Sequence, residues 1–469
     1  MVSFSYLDIF IIVAFFVSML IVGFLTGKKS ANDSTEYLLS GRKVGLLLFV
    51  LTNVATWYGG ILGVGEFTYN SGLLSWFTQG LPYYIFSIIF AFAFAGKIRE
   101  ASLFTIPDKL EQNYGRKVGI ISSIVVFILV SPAPYILMIG SLIQLIFGID
   151  LLISLIISVL LSSLYLIKGG YKADLYTDVI QFFIMFIGFI IIVFVSFNNV
   201  GGFSFLADNL PSDHLKITGS ASPIYIIVWF FIALWTFADP GFHQRCYAAK
   251  NENTAKYGIL ISIFLWMFFD FLTTTTGLFS RAVLKEVDNP VLAFPLYAEK
   301  ILGSGLKGIF YAALFATIIS TANSFLFLSA TTFGRDFVYM IKKGSNESRI
   351  IIYTRVGLLV SSIIAVLLAY TIQSVISLWY MIGSICIPAI IFLIFGAYYE
   401  KLRISKKLAV VEMLFSILGS LIWLFIRGNI INNWLSEIEP MIIGLIIGSL
   451  IHLYGIIKSN SFFFPKNQR

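Results

Sequence analysis

Thirteen apolar runs, each long enough to cross a bilayer and separated by short polar breaks, dominate this sequence and leave it few ways to fold. In round boundaries they cover residues 5–26, 44–65, 73–96, 118–147, 150–167, 176–198, 223–243, 257–280, 304–335, 350–371, 375–399, 408–426 and 439–457, here spans 1 to 13. A helix needs ~20 apolar residues to cross the hydrocarbon core, where every backbone N–H and C=O must be paired internally. Of 469 residues, 58% are hydrophobic and 12% charged, and no linker or long soluble stretch interrupts them. The expectation is an all-α polytopic membrane protein, a single transmembrane domain over residues 1–469.

The net charge of +8 could suggest a nucleic-acid partner, but the charges alternate from loop to loop. With the N-terminus outside, 26 of the 32 Lys and Arg fall in or beside the cytoplasmic loops and tail. That asymmetry is the positive-inside rule, and it requires an odd number of spans with the C-terminus inside. The partners expected are the lipid bilayer and a small solute, with no nucleic acid and no obligate protein partner. Span 1 follows a neutral start, has no small-residue cleavage site after it and leads directly into further spans, so it reads as a helix rather than a signal peptide. Cys246 and Cys386 imply no disulfide framework, and His214, His243 and His452 form no metal-ligand pairing. Nothing points to an enzyme: the nearest approach to a catalytic pair, Asp239 near His243, sits at a helix end.

Two kinds of irregularity interrupt the apolar runs. In span 9, Thr317, Ser320, Thr321 and Ser324 fall within roughly one third of the helix circumference, a row of neutral oxygens on one face. Such hydroxyls can back-bond to their own helix, or they can ligate a hard cation such as sodium without a large fixed charge. In span 2, Val54-Ala-Thr-Trp-Tyr-Gly-Gly-Ile-Leu-Gly63 clusters Gly59, Gly60 and Gly63, and in span 7, Thr236-Phe-Ala-Asp-Pro-Gly241 combines an acid with helix breakers. The two lie five spans apart, as in transporters built from inverted repeats, where unwound backbone offers carbonyls to ions and helix ends to substrate. Of the acids within apolar spans, Asp178 near the cytoplasmic end of span 6 and Asp270 midway along span 8 stand out, since intramembrane acids are functional by default.

Four motifs, Ser40-Gly-Arg-Lys-Val-Gly45, Gly169-Gly-Tyr-Lys-Ala-Asp-Leu-Tyr-Thr-Asp-Val-Ile-Gln181, Gln244-Arg-Cys-Tyr-Ala-Ala-Lys250, and Ser320-Thr321 with Gly334-Arg-Asp336, resemble the sodium:solute symporter family in order and topology. The resemblance covers residues 5–400 and implies the leucine-transporter fold. That fold would comprise an extra first helix (5–26), two inverted five-helix repeats (44–198 and 223–399) and two trailing helices (408–457). It implies a sodium site between spans 2 and 9, with carbonyls of Ala55, Tyr58 and Thr317 and hydroxyls of Ser320 and Thr321. Some members hold a second sodium, whose positions here are Asp178, Ser320, Asn323 and Ser324. Asn323 stands where such members have a hydroxyl, although its amide oxygen can also ligate.

By position the substrate would lie near the bilayer middle, against Trp57, Gly59 and Gly60 of span 2, Trp76 and Gln79 of span 3, Tyr135 of span 4, and Trp235 and Thr236 of span 7. Proline carriers of this family have an acid at the position of Trp57, and sialic acid carriers use an Arg in span 4, where residues 118–147 have none. With no membrane-embedded Arg or Lys expected near the site, a small neutral or zwitterionic solute is the expectation. The function implied is sodium-coupled symport into the cell by alternating access, with one or two sodium ions as the only cofactor. The alternatives are proton coupling through Asp178 or Asp270, and a transporter-like sensor acting with a separate signalling partner, since the tail from Lys458 to Arg469 holds no kinase. Frequent Ile, Phe, Lys and Asn suggest an AT-rich bacterial genome and therefore the inner membrane.

Overall fold

The computed structural model describes residues 2–26, 33–342, 348–428 and 434–463. Its described residues are helical throughout, apart from loops and one isolated bridge pairing Val44 with Ala249. Eleven helices are long and apolar enough to cross a membrane, from Tyr6–Thr26 to Pro440–Lys458. They coincide with all the expected spans except 2 and 5, where the apolar helices are shorter, Leu46–Ala55 and Leu151–Ser163. Span 2 is short because it breaks: the helix stops at Ala55 and resumes as Ile61–Ser71, which starts within the expected span and runs past its end. The part of the last tail that follows residue 463 lies outside the described residues.

Burial orders the bundle. Span 9 (Leu306–Tyr339) is 89% buried over its most apolar window, whereas span 1 is 22% buried there. The hydroxyl-bearing helix is therefore the central post, and a helix apolar on all sides but buried needs polar residues only where they have a task. Span 6 (Leu166–Asn199) packs along it more extensively than any other element, with Gly188 against Ala313. Small residues allow such close approach in membranes. Span 1 is fastened to the start of span 9 by Asp8, which accepts from the backbone N–H of Gly305 and Gly308 at 2.8 Å each. These N–H groups are otherwise orphaned at a helix start.

Span 6 begins ten residues earlier than expected and bends at Gly170, whose φ is +56°. A Cβ there would lie 2.4 Å from the carbonyl oxygen of Tyr37, so both the left-handed backbone and the close approach require glycine. Span 7 runs Pro223–Ala248 and is interrupted twice, at residues 233–234 and at Asp239. Asp239 caps its last segment by accepting from Phe242 N–H at 2.8 Å, and Pro240 follows at the first helical position.

Candidate functional site

The break in span 2 faces the hydroxyl row of span 9. Ser320 Oγ donates to the Ala55 carbonyl at 2.7 Å and lies 3.0 Å from the Thr317 carbonyl, while Thr321 Oγ1 donates to the Thr56 carbonyl at 2.9 Å. Gly59 packs on Thr321 so closely that a Cβ would come within 2.3 Å of it. Ala55, Thr317, Ser320 and Thr321 thus converge, and Tyr58 sits in the same break with its phenol donating to the Trp266 carbonyl at 2.7 Å. The Thr317 hydroxyl itself back-bonds to Ala313 at 2.6 Å, so what Thr317 offers the junction is its carbonyl. Two carbonyls freed by an unwound turn and two hydroxyls in one buried place are a donor set suited to a small hard cation.

One turn farther along span 9 lies a charged cluster. Asp178 is fully buried rather than interfacial, because span 6 starts earlier than its hydropathy indicated; both of its carboxylate oxygens lack a hydrogen-bond partner. Asp174, one turn before it, accepts from Ser324 Oγ at 2.6 Å and keeps its second oxygen unpartnered. Asn323 donates to the Tyr165 hydroxyl and leaves its amide oxygen free. The positive charge nearby is Arg245, whose Nη2 lies 4.0 Å from Asp178 and donates to Thr56 Oγ1 at 2.6 Å and to Ser324 Oγ at 3.3 Å. Two buried carboxylates stand near one guanidinium, which is paired with Asp178 and joined to Asp174 only through Ser324, so a further cation or a proton is needed to balance them.

Beside this junction opens a cavity of about 310 Å³. Trp57, Gly60, Trp76, Gln79, Tyr135, Trp235 and Thr236 all line it, and of the expected substrate contacts only Gly59 does not, being turned to Thr321. The walls also include Asp270, singled out as an intramembrane acid, and residues that sequence reasoning missed: Trp229 of span 7, Thr274 of span 8, Trp379 and Tyr380 of span 11, and Arg245. Arg245 corrects the expectation of no embedded cation near the site. Hydropathy ends span 7 at residue 243, ahead of Arg245, yet the segment Pro240–Ala248 is helical and Arg245 is 3% exposed. Trp379 reaches the cavity across glycine: a Cβ on Gly60 would sit 2.1 Å from its ring.

The remaining motif residues meet at one face of the bundle. Val44 N–H donates to the Ala248 carbonyl at 3.2 Å and Lys250 N–H to the Val44 carbonyl at 2.9 Å, pinning the segment ahead of span 2 to the end of span 7. Arg335 pairs with Asp108 and with Asp336, the latter at 2.9 Å, and its guanidinium lies over the Phe104 ring at 4.3 Å. Asp239 and His243 do not pair with each other; His243 Nε2 bonds the Phe237 carbonyl at 3.0 Å. Both cysteines are free and buried, and no cluster of three or more His, Cys, Asp or Glu fit to hold a metal occurs among the described residues.

An interrupted helix facing a hydroxyl-bearing central helix, with a cavity at the interruption, defines a transporter of the leucine-transporter fold. The sodium:solute symporter family profile matches residues 37–415, and the chain belongs to that family. It is 26% identical over 415 residues to the high-affinity choline transporter 1 of Caenorhabditis elegans, covering 81% of this chain and 71% of that one. It is also 26% identical over 465 residues to the osmoregulated proline transporter of Bacillus subtilis (strain 168), covering 94% and 93%. Among solved structures, a substrate-bound, outward-open Na+-coupled sialic acid symporter superposes with a TM-score of 0.81 at 18% identity, covering 96% of this chain and 98% of that one. The chain is thus a membrane-embedded member of a transporter family, not an enzyme.

Proposed function

We propose that this protein is a secondary active symporter that couples inward sodium movement to uptake of a small organic solute by alternating access. The observation that carries the reading is the contact of Ser320 and Thr321 with the broken turn of span 2. Sodium in that junction, held by Ala55, Tyr58, Thr317, Ser320 and Thr321, ties span 9 to the segment that also walls the cavity. A ligand shifts a conformational equilibrium only by its differential affinity for the two states, and an ion bridging the two elements has it. Displacing the Ser320 and Thr321 hydroxyls from the carbonyls they now bond lets the same oxygens turn to the ion.

A second sodium is proposed at Asp178, Asn323 and Ser324, with Asp174 as an additional carboxylate. Several unpartnered oxygens favour a multiply coordinated ion over a proton, which needs a single acceptor. Each sodium crossing the full potential supplies ~2.3 kcal/mol per 100 mV, roughly fifty-fold accumulation of a neutral solute, and a second ion roughly squares that factor. The division into repeats 44–198 and 223–399, an N-terminus outside, a cytoplasmic C-terminus and a bacterial inner-membrane location belong to this reading and rest on charge placement and the family pattern. The test is uptake by proteoliposomes of the full chain under an imposed inward sodium gradient. Accumulation that collapses with sodium ionophore but not with proton ionophore supports it; the reverse pattern assigns the coupling to protons.

A further inference from the structure

Choline, proline and sialic acid are substrates too different to transfer by likeness, so the cavity itself must identify its ligand. Five of the chain's eight tryptophans line it: Trp57, Trp76, Trp229, Trp235 and Trp379. Tryptophans collected in this way around one cavity are not an interfacial belt, which would spread them along both membrane surfaces. Three acids also line it, and two of them have evident structural partners. Glu439 is bound through both oxygens by Arg427, at 2.7 and 3.1 Å. Asp239 caps its helix, and Arg245 of the same helix bonds the adjacent Gly241 carbonyl at 3.2 Å.

Asp270 is different. It lies in mid-helix, capping nothing, accepts a hydrogen bond from the Tyr84 hydroxyl and, like Asp239, has no ion-pair partner among the described residues. A Cβ on Gly80 would meet the Trp76 ring at 2.9 Å and the Asp270 carboxylate at 3.0 Å, so the indole and the acid stand side by side. One turn earlier on the same helix, Trp266 stacks on Trp57 at 4.7 Å. A carboxylate attracts a cation, and neighbouring indoles stabilise it through their faces without needing hydrogen bonds from it. Elsewhere in the lining, the fully buried polar atoms left without partners include the donors Asn53 Nδ2, Gln79 Nε2, Trp229 Nε1, Arg245 Nε and Trp379 Nε1, and the Thr236 hydroxyl, which can donate or accept. A methylated ammonium head needs no hydrogen-bond acceptors, and a polar tail that accepts hydrogen bonds would satisfy the orphan donors.

We propose that the cavity binds a methylated ammonium compound, its cationic head between Asp270 and the indoles of Trp57 and Trp76, and its hydroxyl or carboxylate tail on the donors of Gln79, Thr236, Trp229 and Trp379. The assignment rests on the symporter reading for its transport consequence, but binding alone tests it. The purified full chain is titrated, by intrinsic tryptophan fluorescence and thermal stability in sodium chloride, with choline, glycine betaine, tetramethylammonium, proline and glucose. The neutral isostere 3,3-dimethyl-1-butanol is included because it has the shape of choline without its charge.

The expected result is saturable binding of choline or glycine betaine, with tetramethylammonium weaker for lack of a tail and the isostere at least about tenfold weaker than choline. Choline ahead of glycine betaine assigns a hydroxyl tail, and the reverse order assigns a carboxylate. Asp270→Asn should weaken the ammonium ligand by at least about tenfold while keeping the sodium-induced stabilisation, which shows that the variant is folded. Binding of the isostere as tight as choline, or of proline or glucose in preference to every ammonium compound, overturns the assignment, and this comparison needs no variant. A protein that responds to sodium but to no ammonium compound refutes this substrate class alone. One that binds the ammonium compound with no effect of sodium refutes the sodium-symport reading and leaves this one standing.

Discussion

Replacing Gly59 by alanine puts a methyl carbon 2.3 Å from Thr321 Cβ and 2.4 Å from its hydroxyl oxygen. Non-bonded carbons rest about 3.5–4.0 Å apart, so at least about 1.2 Å of separation has to be found. A rotamer change of Thr321 cannot provide it, because its Cβ is fixed to the backbone of the most buried helix in the bundle. The broken segment of span 2 must instead back away from span 9, carrying the Ala55 and Thr56 carbonyls with it. Overpacking of this kind costs ~1–3 kcal/mol, and it falls chiefly on the state in which the junction is closed around the ion. Sodium affinity should therefore drop roughly 5- to 150-fold. The assay is a sodium titration of thermal stability at constant ionic strength, balanced with potassium. Gly303→Ala serves as the control, since nothing lies within 4 Å of the added carbon. Half-saturating sodium unchanged within twofold in Gly59→Ala would refute the placement of the ion at this junction.

Three further outcomes follow from the same contacts. Asp174→Asn removes one of the two carboxylates near Arg245, so the sodium dependence of uptake should pass from sigmoidal to hyperbolic; unchanged curvature would remove Asp174 from the second ion's site. Arg335→Gln leaves Asp108 and the fully buried Asp336 without their countercharge, and stability in detergent should fall by about 3–5 kcal/mol, as when a buried pair loses one partner; a loss below 1 kcal/mol would mean that the pair is effectively exposed. His214, in the loop between spans 6 and 7, bonds the Tyr69 carbonyl at 3.1 Å and is held below its ordinary value by burial, with Arg281 adding to the shift and that hydrogen bond opposing it. Because the folded state disfavours the protonated ring, its contribution is present above the ordinary histidine value of about 6.5 and is lost as pH falls through and below it. The melting temperature should fall with acidification over that range, and His214→Gln should flatten the fall; an identical pH profile in the variant would show that other groups govern it.

How much was legible in the residues depended on the kind of signal. Hydropathy located the membrane helices because a spanning segment has no alternative to continuous apolarity. Gly59, Gly60 and Gly63 announced the break in span 2, and the spacing of Ser320 and Thr321 placed both hydroxyls on the face that meets it. Arg245 escaped notice because a cation just past an apolar run reads as a loop residue, and nothing local shows that Pro240–Ala248 stays helical and turns inward. Asp174 was hidden for the same reason: hydropathy starts span 6 at residue 176, although its helix already runs from the break at Gly170 and carries Asp174. Trp229 and Trp379 carry no local mark of function. They line the cavity only through the packing of spans 7 and 11 against the broken helix, as the contact of Trp379 with Gly60 makes plain.

The central claim is that sodium binds where span 9 meets the broken turn of span 2. Its most direct test is the thermal stability of the purified protein in sodium against potassium at equal ionic strength, for the wild type and for Ser320→Ala. An ion that binds only the folded state raises apparent stability by about 2.7 kcal/mol at one hundred times its dissociation constant. The account predicts a sodium-specific rise in the wild type that is lost, or displaced to much higher sodium, in Ser320→Ala. Equal stability in the two salts at saturating concentration, or a rise that survives the substitution unchanged, would contradict it.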